Sequence, residues 1–374
     1  MFRSESNDYQ HIFLNDIPLI DVRAPVEFSQ GAFSHAVNLS LMSDSEREEV
    51  GICYKQHGQS AAIELGERLV SGDIRAQRIE QWKSFCQQHP NGFLYCFRGG
   101  LRSHITQRWL HEAGVDYPLI EGGYKALRNF LINENRRAAS LPIRIVGGNT
   151  GSGKTLLVRD LPSGVDLEGA ARHRGSSFGR TIIGQSCQIN FENRVAVTFL
   201  KKYHTGIRSW VIEDEGKTIG SNHVPLELYE AMQLASIVVI DDPLDVRLER
   251  LQLEYIDSMS ADFERVYGAE EGWQQFCEYL HHGMFAIRKR LGMERYQILL
   301  NELDLALDYQ KSGKGSSKHE NWLVPLLNEY YDPMYSYQLS KKSERIIFRG
   351  DSTAVRDFLL HDSLSHDSLR HDKV

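Results

Sequence analysis

Two stretches of this chain combine residue types at spacings that chemistry can use. The first, Cys96-Phe97-Arg98-Gly99-Gly100-Leu101-Arg102-Ser103, fits the pattern C-x-x-G-x-x-R-[ST]. Glycines let such a loop turn its backbone N–H groups toward one anion at the start of a helix, and arginines add charge. A cysteine at the head of the loop aims a sulfur nucleophile at whatever oxyanion or chalcogen donor the loop holds. Cys96 is therefore the candidate catalytic residue, with Arg98, Gly99, Gly100, Arg102 and Ser103 as anion support.

The second stretch, Gly147 to Thr155, contains G-x-x-x-x-G-K-T. In this pattern the backbone around Gly148, Gly151 and Gly153 cradles a diphosphate. Lys154 reaches the outer phosphate, and the Thr155 hydroxyl can ligate Mg²⁺. The spacing leaves open what the diphosphate is attached to, a nucleoside or a prenyl chain. No metal site is certain from the sequence.

Other candidates depend on these two. Glu213 and Asp214 follow Trp210-Val211-Ile212 and could support metal or phosphate; Asp241-Asp242 after Ile240 competes for the role. Arg172 and Arg174, among small residues from Ala171 to Gly179, could contact phosphate or RNA. Arg288-Lys289-Arg290 and the tyrosines from Tyr330 to Tyr337 offer phosphate and stacking contacts, or else a charged helix face and packed rings. Cys53, in Gly51–Gly58, reads as a loop thiol, resolving or structural. Cys86 and Cys277 fall on apolar helical faces, and Cys187 takes no role.

Positioning these loops requires strands that end where they begin. Phe93 to Cys96 and Leu141 to Val146 are short apolar runs followed at once by the loops and then by helical patterns. Pro18 to Val22, Tyr117 to Ile120, Ser209 to Ile212 and Ser236 to Ile240 supply further strands. Ala61 to Gln87 reads as one broken helix or two short ones. The order is α/β throughout: an N-terminal domain over 1–138, a P-loop α/β domain over 139–245, a helical region over 246–360 that could contact RNA, and a tail without regular structure over 361–374.

Composition narrows the classes. Hydrophobic residues are 41% and charged residues 25%, ordinary for folded domains. No apolar run approaches the roughly 20 residues that span a bilayer, and the polar start lacks a secretory signal, so a cytoplasmic protein with no membrane partner is expected. The five cysteines never form C-x-x-C, which argues against a disulfide framework or a zinc site. A formal charge of −7 disfavours a surface-wide trap for nucleic acid but leaves local basic patches open.

The first domain resembles the rhodanese family through Ile20-Asp21-Val22-Arg23, Glu27-Phe28, Gly31-Ala32-Phe33, Ala36-Val37-Asn38-Leu39, the Cys96 loop and Glu121-Gly122-Gly123-Tyr124. With a P-loop NTPase-like domain and a helical C-terminal extension fused behind it, nearly the whole chain resembles the tRNA 2-selenouridine synthase family. Further matches are Gly51 to Gly58, Asp166-Leu167-Glu168-Gly169, Arg172 to Ser176, Glu213-Asp214-Glu215, Ile219 to His223 and Glu329 to Tyr335. The resemblance implies a transferase acting on tRNA that carries wobble 2-thiouridine. Its sulfur is alkylated with geranyl diphosphate, then replaced by selenium from selenophosphate through a selanyl or persulfide-type intermediate on Cys96. It also implies that the Gly148–Thr155 loop holds geranyl diphosphate rather than ATP, with Mg²⁺ accompanying the diphosphate. The residues by themselves also admit a Cys-dependent sulfurtransferase or phosphatase fused to an NTPase, or a non-catalytic RNA-binding module. Against the phosphatase, Tyr95 rather than His precedes Cys96.

Overall fold

The apolar runs sort into two parallel sheets. The computed structural model describes residues 5–371. The chain divides into two units: the first runs to Arg137 and includes Cys187–Lys201, and the second comprises Ala138–Ser186 and the chain from Lys202 onward.

In the first unit, β1 (Glu5–Ser6), β2 (Leu19–Asp21), β3 (Ala36–Asn38), β4 (Phe93–Tyr95) and β5 (Leu119–Ile120) lie in the order β1-β5-β4-β2-β3. Every pairing is parallel. Strands covered on both faces favour continuous apolar runs over alternation, and every residue of β2 and β4 is buried. Asp21 is the polar exception. Arg23 satisfies it, donating from Nε at 2.9 Å and from Nη2 at 2.6 Å to Oδ2.

Ala61 to Gln87 forms parts of two helices, Asp44–Leu69 and Gly72–Gln88. The first begins earlier than expected, so Gly51–Gly58 is helix rather than loop and Cys53 rides on it. Ser43 and Glu46 form a capping box that starts the helix, a local signal stronger than the missing apolar period. Only Gly58, at φ 83°, leaves helical angles and kinks it.

A second correction concerns residues 187–201, which the sequence boundaries gave to the P-loop domain. The helix Gln188–His204 buries Phe191, Val195, Ala196, Phe199 and Leu200. Ala196 and Leu200 share a core with Ile12, Phe13 and Leu127 of the first unit. An apolar stripe shows that a helix needs a partner surface, not which surface it takes.

The second unit contains β6 (Ile143–Gly148), β7 (Gly164–Val165), β8 (Trp210–Glu213), β9 (Thr218–Ile219), β10 (Asn222–His223), β11 (Ser236–Ile240) and β12 (Ile346–Gly350). Its main sheet has the order β12-β11-β6-β8-β7, all parallel, and β9 and β10 make a small antiparallel pair. β12 is a strand that the mainly helical reading of 246–360 did not mark: it is short and only half-buried, so its sequence carries a weak apolar signal. The rest of that region is chiefly helical, with Phe276, Leu280, Met284, Leu303 and Trp322 in one core. The helix Ser352–His371 extends into the expected tail, of which residues 372–374 lie outside the described residues. Among the described residues, no helix is long and apolar enough to cross a membrane.

Candidate active site

β6 delivers the chain to Gly148, where a Cβ would lie 2.7 Å from the Ile240 carbonyl oxygen. Gly151 and Gly153 both sit at φ 80°, and a Cβ on Gly151 would lie 2.8 Å from the Arg247 carbonyl oxygen. The left-handed turns and close backbone approaches explain why these positions carry glycine. Lys154 Nζ donates to the carbonyl oxygens of Gly148 at 2.9 Å and Asn149 at 3.0 Å, and lies 5.4 Å from the centre of the Tyr335 ring. The Thr155 hydroxyl donates to Glu168 Oε2 at 3.1 Å.

Gly151, Gly153, Lys154, Thr155, Glu168 and Tyr335 line a cavity of about 330 Å³, whose other charged walls are Arg159, Arg174, Arg290, Asp214, Glu215 and Glu254. Glu213, at the end of β8, is 1% exposed, and neither carboxylate oxygen has a hydrogen-bond partner among the described residues. Burial, then the neighbouring Glu168, push its carboxyl well above the usual range. Glu215 is pushed up to about 8, first by burial and then by Glu168, and burial raises Glu168 itself. Burial lowers Lys154 while the surrounding carboxylates, Glu215 foremost, pull it back up. Acids this close cannot all ionise without a cation among them.

The donor set fits Mg²⁺ in the way a diphosphate site uses it. Among the described residues no group of three or more His, Cys, Asp or Glu could hold a metal alone. Mg²⁺ at phosphates needs only one or two protein oxygens, the rest coming from phosphate and water. The Thr155 hydroxyl and the orphaned Glu213 carboxylate answer that description.

The remaining expected residues divide. Asp214 lines the cavity, but its carboxylate accepts from Lys342 Nζ at 2.6 and 2.9 Å. Asp241 pairs with Arg349 at 3.3 Å; Asp242 pairs with Arg250 and accepts the Ser352 N–H at 2.8 Å, so both carboxylates serve the C-terminal strand and helix. Arg174 lines the cavity, its Nε 3.1 Å from Glu254, whereas Arg172 is exposed at the end of the helix Leu167–Ala171 and outside the lining. Arg290, of the basic run offered for phosphate contacts or a charged helix face, lines this cavity. Of the tyrosines, Tyr335 joins the wall and Tyr331 is buried with its hydroxyl 2.9 Å from that of Ser177, while Tyr337 is exposed. The sequence reading singled out neither Glu168 nor Glu215, although both stood inside motifs it quoted. Tyr255, which also lines the cavity, had no signal, because a π-helical turn, Gln252–Asp257, presents it.

The cysteine loop is built differently. Cys96 is 4% exposed; its N–H donates to Ser103 Oγ at 2.8 Å, and its Sγ lies 3.9 Å from the Gly100 carbonyl oxygen. Gly99, at φ 64°, would bring a Cβ to 2.9 Å from Gly122 N, and a Cβ on Gly123 would land on the Cys96 carbonyl oxygen. The N–H groups of Tyr124 and Lys125 bind the carbonyls of Cys96 at 2.9 Å and Phe97 at 3.0 Å. Two glycine turns thus interlock around the thiol. Gly100 stands at the N-cap of the helix Leu101–Glu112 and offers no side-chain cap. Arg98 is exposed. Arg102, expected to face an anion, is held by Glu27 through bonds of 2.6 and 3.1 Å, and Arg47 reaches the same carboxylate at 3.0 Å. Burial alone would raise Glu27, but Arg102, then the Ala24 N–H and Arg47, hold it below its ordinary value.

Residues 141–366 match the family model for the tRNA 2-selenouridine synthase AAA domain. A protein named tRNA 2-selenouridine synthase from Serratia proteamaculans is 63% identical over 358 residues, covering 96% of each chain. Proteins of the same name from Photobacterium profundum and Salmonella agona are 56% and 57% identical, each over 96% of this chain and over 99% and 98% of their own.

Proposed function

Because this chain belongs to the tRNA 2-selenouridine synthase family, whose members' name describes tRNA modification, we propose that it replaces sulfur by selenium in a wobble 2-thiouridine, in two steps at its two loops. In the first, the thiouridine sulfur attacks C1 of geranyl diphosphate. A C–S bond forms, the C1–O bond breaks, diphosphate leaves and the base loses its N3 proton to solvent. Charge builds on the departing diphosphate, so groups fixed beforehand around it lower the barrier. The Gly148–Thr155 backbone and Lys154 are those groups. Thr155 and Glu213 would hold Mg²⁺, which supplies further positive charge to the diphosphate.

In the second step selenium from selenophosphate is handed over at Cys96, in a first unit read as rhodanese-like. The selenium of selenophosphate attacks C2 of the base: a C–Se bond forms, the C–S bond breaks and geranylthiol leaves with a proton; water then attacks phosphorus, the Se–P bond breaks, phosphate is released and N3 takes up a proton. Tyr124 and Lys125, by binding the carbonyls of Cys96 and Phe97, keep the loop fixed while the thiol works. With tRNA as its substrate the enzyme acts in the cytoplasm.

The observation that carries this reading is the pairing, in one chain, of a phosphate loop over a cation-seeking acid cluster with a glycine-locked thiol. Nucleoside mass spectrometry tests it, using thiouridine-containing tRNA with geranyl diphosphate and selenophosphate. The wild type should yield 2-selenouridine. Cys96→Ala should accumulate geranylthiouridine, and Lys154→Ala should leave 2-thiouridine unchanged, its first step slowed about 10²–10³-fold. No conversion by folded wild-type protein would refute the reading.

A further inference from the structure

A second cavity, of about 290 Å³, lies within the first unit and plays no part in the chemistry described so far. Its walls come from the kinked helix Asp44–Leu69, through Val50, Ala62 and Ile63, and from the helix Leu101–Glu112, through Leu101, Ile105 and Trp109. The charged side chains that reach it are already matched, Arg102 by Glu27 at 2.6 Å and Glu67 by Arg108 at 3.0 Å. An ionic ligand would find no unmatched charge there. A hydrocarbon would find walls that lose nothing by drying.

Position and size narrow the ligand. Leu101 in the wall follows Gly100, whose carbonyl oxygen is 3.9 Å from Cys96 Sγ, so the cavity opens beside the thiol loop. Leu101 and Tyr54 are 44% and 57% exposed, which makes its mouth apolar as well. An apolar cavity of about 150 Å³ takes a benzene ring. Roughly twice that room suits a branched chain of about ten carbons.

We propose that this cavity binds the isoprenoid chain carried on the substrate sulfur, holding it beside Cys96 while geranylthiol is displaced. The assignment rests on the two-step reading above. It makes the first unit selective for the alkylated base: unmodified 2-thiouridine leaves the cavity unfilled and forgoes its binding energy, so selenium transfer follows alkylation.

The test is equilibrium binding of the full chain to an anticodon stem-loop RNA carrying S-geranyl-2-thiouridine, compared with the same RNA carrying S-methyl-2-thiouridine. The wild type should prefer the geranyl form by about 100-fold or more. Ala62→Phe, which fills the cavity, should bring the ratio close to one while S-methyl RNA still binds as before. A preference that survives in Ala62→Phe, or a wild-type ratio near one, would overturn the assignment. Should Ala62→Phe fail to bind S-methyl RNA, Ile105→Ala decides: a widened cavity should move preference toward an S-farnesyl RNA, and an unmoved preference overturns the proposal. Formation of geranylthiouridine by the wild type is scored separately, so a failure of the two-step reading shows there and a failure of the cavity shows in the binding ratio.

Discussion

The two loops share a plan, strand then glycine turn then helix, yet they handle charge in opposite ways. Around Cys96 the charges are closed among themselves: Arg102 and Arg47 meet on Glu27, and the backbone is locked by the turn at Gly122-Gly123. Around Lys154 they are left open: burial raises Glu168, Glu213 and Glu215, and Glu168 pushes the other two further. The thiol loop is finished mechanically before any substrate arrives. The phosphate loop keeps a buried carboxylate, that of Glu213, without a hydrogen-bond partner among the described residues. Glycine spacing reports backbone shape in both cases and says nothing about which of these two designs surrounds it.

Breaking the mechanical lock should have the largest effect. Gly123→Ala puts a methyl group on the Cys96 carbonyl oxygen at a φ of 57°, so selenium transfer should be abolished and stability should fall by about 1–3 kcal/mol. Nucleoside mass spectrometry and thermal unfolding measure the two losses; geranylthiouridine formation should persist, and its loss would mean the loops are not independent. A smaller effect is expected from Glu213→Gln, which removes the orphaned carboxylate: Mg²⁺ affinity, followed by calorimetry in the presence of diphosphate, should weaken about tenfold. Unchanged affinity would return the metal to another acid.

The finest distinction lies in pH. Glu215 has a folded-state pKa of about 8 against an ordinary 4.5, so the folded protein holds a proton that the unfolded chain has released across that window. Stability from this group is full below about 4.5 and is lost as pH rises through about 8. Melting temperature of the ligand-free protein should therefore fall by a few degrees from about pH 5 to about pH 8.5, and Glu215→Gln should flatten the slope. An equally steep slope in the variant would show that the open charge balance sits elsewhere.

Both loops were legible because each is contiguous and bounded by a strand and a helix, so residues such as Cys96, Gly153 and Lys154 announce their own surroundings. The partners that define charge were not. Glu27 lies far along the chain from Arg102, and Lys342 from Asp214, so neither pairing leaves a local trace. Asp241 and Asp242 competed with Glu213 in sequence, each following an apolar strand; only the fold shows them engaged by Arg349 and Arg250. The membership of residues 187–201 depended on which surface an amphipathic helix covers, and Tyr255 on a turn with no periodicity to read.

β12 gives the second unit a topology that its sequence conceals. The long helical segment after β11 is an insertion within the sheet domain, not an appendage to it, because the chain returns at Ile346–Gly350 to pair along Ile237–Ile240. A fragment ending at residue 245 would carry every phosphate-loop residue from Gly148 to Glu215. It would also leave an apolar strand edge bare, the arrangement that invites sheet-to-sheet association. Cutting this protein into separately expressed halves should therefore respect the strand that comes last.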